Sequence, residues 1–167
     1  MISRIPLTAS VAALVILISL PAAPARADSV GVGSARKVGI GFILGEPTGL
    51  SGKYWLTHTD AVDFGAAWSF VHEASFQLHA DYLFHDFSVF HPSEGRMPLY
   101  YGIGGRLRFS HASRLGVRGV LGLNYMFDTA PVDAFVELAP VLDIAPKTEF
   151  NLMGGIGVRF FFGPAWQ

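Results

Sequence analysis

The residues from Glu149 to Phe162 read E-F-N-L-M-G-G-I-G-V-R-F-F-F. Every even position, Phe150, Leu152, Gly154, Ile156, Val158, Phe160 and Phe162, is apolar or glycine, whereas Glu149, Asn151 and Arg159 all fall on odd ones. Only a strand turns a period of two into two opposite faces. One face of this strand is dry, so the rest of the chain must supply either a protein core or a lipid environment to cover it.

The same alternation recurs upstream. Val38, Ile40, Phe42 and Leu44 oppose Gly39, Gly41 and Gly45, and Glu46-Pro47-Thr48-Gly49 supplies turn chemistry. A second strand, Leu50–Leu56, sets Tyr54 and Leu56 against Ser51 and Lys53, and Thr57-His58-Thr59-Asp60 turns the chain. A third, Ala61–Phe70, sets Val62, Phe64, Ala66, Trp68 and Phe70 against Ala61, Asp63, Gly65 and Ala67. The fourth, Phe76–Phe87, places Leu78, Tyr82 and Phe84 opposite Gln77, His79, Asp81 and His85. After the longest connection, Ser88–Met97, come Pro98–Phe109, Leu115–Phe127 and Ala134–Ile144, with Ala145-Pro146-Lys147-Thr148 leading into the last strand.

Eight strands with mostly short connections pair antiparallel, because a parallel pairing needs a crossover of about a dozen residues or more. An up-and-down sheet of eight can close on itself and lose its edges. Most of the strands are long enough for the roughly 9–11 residues that a tilted strand needs to cross hydrocarbon.

Sorting charge by phase decides which face is dry. The polar faces collect the cations Lys53, Arg106, Arg108, Arg118 and Arg159 and the anions Asp63, Asp81, Glu137, Asp143 and Glu149, and the apolar faces carry none in their interiors. A soluble barrel with an apolar interior needs the opposite arrangement. Aromatics gather near strand ends on the apolar face (Trp68, Phe70, Phe76, Phe109, Tyr125, Phe127, Phe160, Phe162), as in the girdles of membrane barrels. The expected fold is therefore all-β, an eight-stranded antiparallel up-and-down transmembrane β-barrel with a polar, ion-paired lumen. Inward glycines such as Gly39, Gly41, Gly65, Gly102, Gly104, Gly116, Gly122, Gly155 and Gly157 make room for its long side chains. The competing arrangement is one leaf of a sandwich, with solvated charges and packed apolar faces.

The N-terminus agrees with export. Met1–Ala27 has an early Arg4, an apolar run from Val11 to Leu20, and the small-x-small triplet Ala25-Arg26-Ala27, which together read as a cleaved signal peptide. Residues 28–167 are then one barrel domain. No second apolar run is long enough for a spanning helix, so a membrane location means a barrel. Charged residues make up 15% of the chain and the net charge is −1, which gives no basis for nucleic-acid binding. With no cysteine, disulfides and thiolate metal sites are excluded.

The succession G-E-P-T-G-L-S-G-K-Y-W-L (Gly45–Leu56), D-F-G-A-A-W-S-F (Asp63–Phe70), L-H-A-D-Y-L-F-H-D-F (Leu78–Phe87), L-Y-Y-G-I-G-G-R (Leu99–Arg106) and G-I-G-V-R-F-F-F (Gly155–Phe162) resembles a family of small uncharacterised bacterial outer-membrane β-barrel proteins. That family is itself similar to the eight-stranded OmpA-type barrels. The resemblance covers nearly all of the chain after the signal and implies an outer-membrane location. It carries over no catalytic residue. Two departures are visible. With a periplasmic N-terminus the long segment Ser88–Met97 falls on the periplasmic side. Barrels of this kind also commonly end on an aromatic read by the assembly machinery, a role that falls here to Phe160 and Phe162, yet Gly163–Gln167 follow them.

Candidate chemistry is thin. His111-Ala112-Ser113 has the spacing of a histidine–serine pair, but no acid stands nearby to orient the histidine. His79, Asp81 and His85 share one face of a strand and could suggest a metal, although membership of the luminal network accounts for them. No helix follows Gly39-x-Gly41 or Gly102-x-Gly104-Gly105, so neither is a phosphate loop. The expectation is a non-enzymatic monomer without cofactor or metal, with a structural or interaction role, whose partners are outer-membrane lipid and the barrel-assembly machinery. The alternatives are a lipid- or small-ligand-binding barrel and a lipid A-modifying hydrolase.

Overall fold

The computed structural model describes residues 37–46, 48–69, 75–110 and 113–163, Ser69 by its backbone alone. The signal segment, Phe70, His111, Ala112 and the tail beyond Gly163 lie outside the described residues. Eight strands follow one another: β1 Val38–Glu46, β2 Thr48–Trp55, β3 Asp60–Ser69, β4 Ser75–Asp86, β5 Leu99–Phe109, β6 Arg114–Met126, β7 Val132–Ala145 and β8 Glu149–Phe162. Each pairs antiparallel with the next, and β8 pairs with β1 from Val38↔Phe162 to Glu46↔Gly154, which closes the barrel and rules out a sandwich leaf.

The period of two is carried faithfully into burial. Along β4, Ser75, Gln77, His79, Asp81, Leu83 and His85 are buried while Leu78, Ala80 and Phe84 are exposed. On β1 the exposed positions are Val38, Ile40, Phe42 and Leu44, and on β8 they include Phe150, Leu152, Ile156, Val158, Phe160 and Phe162. One irregularity occurs at the end of the β6–β7 pairing. Leu115 pairs with Ala145 but Gly116 with Asp143, so β7 holds one extra residue, Ile144. Asp143 faces inward and Ile144 outward in the strand's regular alternation, and beyond the bulge Ala145 lies level with the outward Leu115.

The interior is filled by side chains in alternating apolar and ionic groups. Ile43, Leu83, Tyr100, Val120 and Phe135 form one apolar cluster. Trp55, Ala61, Met126 and Phe161, with Phe87 against them, form a second at the end where β1 begins and β8 ends, and Ala139, Val141 and Met153 form a third.

Most strand ends shift by one or two residues from the sequence expectation, and two connections differ in kind. Thr48 and Gly49, read there as turn, belong to β2, because the Thr48 hydroxyl donates to Gly45 O (3.0 Å) and accepts from Gly45 N (3.3 Å), shortening the connection. The segment before β5 is also more than a loop. Arg96 and Met126 exchange two backbone hydrogen bonds (3.0 and 2.8 Å), Gly95 N donates to the Asp128 carboxylate (2.7 Å), and the Tyr125 hydroxyl donates to Glu94 O (2.9 Å). Gly95 has φ +73°, a left-handed conformation that suits glycine.

Candidate functional site: the luminal charge network

Local sequence explains how charged side chains come to meet inside a narrow tube. Each luminal arginine faces a glycine on a neighbouring strand, and the missing side chain lets it reach the strand beyond. Arg118 on β6 is level with Gly104 on β5, which is level with Asp81 on β4. Across that gap Arg118 Nε donates to Asp81 Oδ2 at 2.9 Å. Arg106 on β5 similarly passes Gly116 on β6 to reach Asp143 on β7 at 2.6 Å. Tyr100 crosses Gly122 to donate its hydroxyl to Glu137 at 3.1 Å. Arg159 on β8 crosses Gly41 to Ser51 on β2 at 3.4 Å and continues to Asp63 on β3 at 2.5 Å.

The resulting clusters are almost fully buried. Arg118 bridges Asp81 and Glu137, with all three side chains at most 6% exposed. Arg159, with no side-chain exposure, bridges Asp63 and Asp133 (3.1 Å), and its guanidinium lies 3.9 Å from the centre of the Phe135 ring. Asn124 donates to the other Asp133 oxygen at 3.0 Å. Asp143 binds Arg106, accepts from Asn151 at 3.1 Å and lies 3.6 Å from Arg114. Every one of these bonds links different strands, so the network ties the wall together across its interior.

Seven of the ten sequence-predicted residues, Asp63, Asp81, Arg106, Arg118, Glu137, Asp143 and Arg159, are drawn into these clusters. Three are placed otherwise. Lys53 is fully buried, but its ammonium donates to His85 Nε2 at 2.7 Å and lies over the rings of Trp55 (4.6 Å) and Tyr100 (5.3 Å) instead of meeting a carboxylate. Glu149 is corrected from luminal to rim. As the first residue of β8 it is half exposed and ion-paired to Arg114, a residue the alternation pattern had left in a turn. Arg108 is half-buried near the same end and donates to the Ser75 hydroxyl at 3.1 Å, without a carboxylate partner among the described residues. Phe160 and Phe162 face outward, with their rings in edge contact 5.2 Å apart, and sit against β1 and β7.

Asp133 was missed because Pro131 and Val132 make its neighbourhood look like turn; counting back by twos from Glu137 through Phe135 would have found it. The His79, Asp81 and His85 face does not converge. Asp81 goes to Arg118, and His85 goes to Lys53 and to Thr59 O (3.0 Å). Among the described residues no group of three or more His, Asp or Glu side chains is arranged to hold a metal ion. Ser113 is exposed, and its presumed partner His111 lies outside the described residues.

Fold and site together define an eight-stranded up-and-down β-barrel of inverted polarity, with apolar side chains on the outer wall and ion pairs within. Among solved structures the chain is similar to the N-terminal β-barrel domain of Pseudomonas aeruginosa OprF, with a TM-score of 0.58 and 20% identity over 78% of this chain and 100% of that one. This likeness shows the fold. No protein-family model and no curated protein matches the chain.

Proposed function

We propose that this chain is a small integral outer-membrane β-barrel protein, exported through a cleaved signal peptide, with a structural or interaction role and no enzymatic activity. The inversion of polarity carries the reading. Large apolar side chains such as Phe42 (62% exposed), Ile103 (61%), Leu152 (64%) and Phe150 (67%) cover the outside, whereas Arg118 and Arg159 are inside. A soluble monomer rarely exposes a contiguous apolar patch beyond a few hundred Å², and a bilayer is the environment that welcomes this one. Closure of β1 on β8 meets the demand that no backbone edge face lipid.

The cluster of Ile43, Leu83, Tyr100, Val120 and Phe135 between the ionic groups supports a plugged lumen. Phe160 and Phe162, on the closing strand, are the residues the assembly machinery would read. The outer-membrane location has further support from the export segment and from the resemblance to small outer-membrane barrels.

The test is fractionation of the expressed protein, followed by gel electrophoresis with and without boiling. The reading expects membrane-fraction protein that needs detergent for extraction and migrates differently when unheated. Extraction into aqueous buffer, with one mobility in both lanes, overturns it.

A further inference from the structure

The outer wall is not uniformly convex. Near the β1–β2 hairpin, Phe42 and Leu44 of β1, Thr48 and Leu50 of β2, Trp68 of β3 and Val158 of β8 enclose a groove of about 560 Å³. Register explains the hollow. Val158, Phe42 and Leu50 lie level across three strands, and the next lining side chain along β2 is the short Thr48. Trp68, beside Thr48, then stands up as the opposite bank. The lining is hydrocarbon except for Thr48, whose hydroxyl is already engaged in both directions with Gly45.

We propose that this groove holds one acyl chain of a bilayer lipid, retained longer than the lipids around the rest of the wall; the inference rests on the membrane reading above. The groove is continuous with the lipid-facing band, since Phe42, Leu44, Leu50, Trp68 and Val158 are all exposed members of it. A lining without a free hydrogen-bonding group gives a polar ligand nothing to bind. The volume lies within the range of about 300–1,000 Å³ typical of small-molecule sites. Two aromatic banks, Phe42 and Trp68, and a branched floor, Leu50, hold a flexible chain on three sides.

The test compares the full chain with Leu50→Trp, which fills the floor, and with Leu121→Trp, which makes the same change on β6 at the opposite wall. Each is reconstituted in palmitoyl-oleoyl phosphatidylcholine bilayers, transferred to mild detergent and examined by native mass spectrometry for retained phosphatidylcholine. The proposal expects one retained lipid in the parent and in Leu121→Trp, and a loss of about tenfold in Leu50→Trp, equivalent to a tenfold change in dissociation constant. Leu44→Trp on the neighbouring bank repeats the test if Leu50→Trp does not assemble. No retained lipid in the parent, or retention equal in all variants, overturns it. Heat-dependent mobility of the same samples separates this failure from failure of the membrane reading, in which no variant would show the shift.

Discussion

Replacing Arg118 by alanine probes the lumen most severely. Arg118 is the cation between Asp81 and Glu137, and removing it leaves two buried carboxylates without their shared cation. Breaking a buried ion pair by deleting one partner costs about 3–5 kcal/mol, and here one deletion strands two anions, so the upper part of that range is expected. Glu137→Ala is milder. Arg118 keeps Asp81, and the principal new defect is the Tyr100 hydroxyl without its acceptor, for about 1–3 kcal/mol. In the double variant Asp81 is left alone, and the non-additivity should be about 0.5–3 kcal/mol in the direction of recovery. The assay is urea unfolding of refolded barrel in detergent micelles, followed by the fraction that keeps its unheated gel mobility. A parent-like midpoint for Arg118→Ala, or a loss in Glu137→Ala larger than in Arg118→Ala, would refute this account of the lumen.

Four further substitutions test the packing. Gly104→Val should destabilise by about 1–3 kcal/mol, since an added Cβ would lie 2.5 Å from Asp81 Cα, whereas outward-facing Gly105→Val, with its nearest neighbour at 3.9 Å, should be neutral or stabilising; urea midpoints decide both. Lys53→Met removes a buried cation that meets no carboxylate directly, so its midpoint should fall within about 1 kcal/mol of the parent's, unlike Arg118→Ala. Ile103→Arg puts a charge on the lipid face and should cost up to about 2–4 kcal/mol, by the same measurement, if the site lies near the midplane.

The strands were legible because burial on one face enforces a period of two, and that period survives single exceptions such as Pro140 on the outside of β7. Closure was also legible, since eight strands with short connections leave two edges to be satisfied. The choice of ion-pair partner was not. It depends on which residues stand level across the wall, and that register follows from strand ends which the alternation left one or two residues open, as at Thr48 and Val132. Glu149 illustrates the limit: its phase is inward, but as the first residue of its strand it lies at the rim, where Arg114 meets it in the open. Lys53 illustrates another. Burial and phase were both readable, but its aromatic and histidine surroundings come from Trp55, His85 and Tyr100 on three strands, and strand phase does not show how far along the tube each of them stands.

The glycines had a clearer signature than was drawn from them. Gly41, Gly104, Gly116 and Gly122 all lie on the charged phase, and each stands between two residues that bond over it. They give general luminal room, as expected, and also set specific crossings from one strand to the next but one.

Cysteine accessibility tests the inverted polarity most directly, because the chain has no cysteine of its own. Single cysteines at Leu138, Ala139, Pro140 and Val141 on β7, and at Ile156 and Val158 on β8, would carry an environment-sensitive fluorophore in bilayers containing brominated lipids. The account predicts that labels at Leu138, Pro140, Ile156 and Val158 are quenched strongly and those at Ala139 and Val141 weakly. Quenching of similar strength at every site, or strongest at the charged phase, would contradict it.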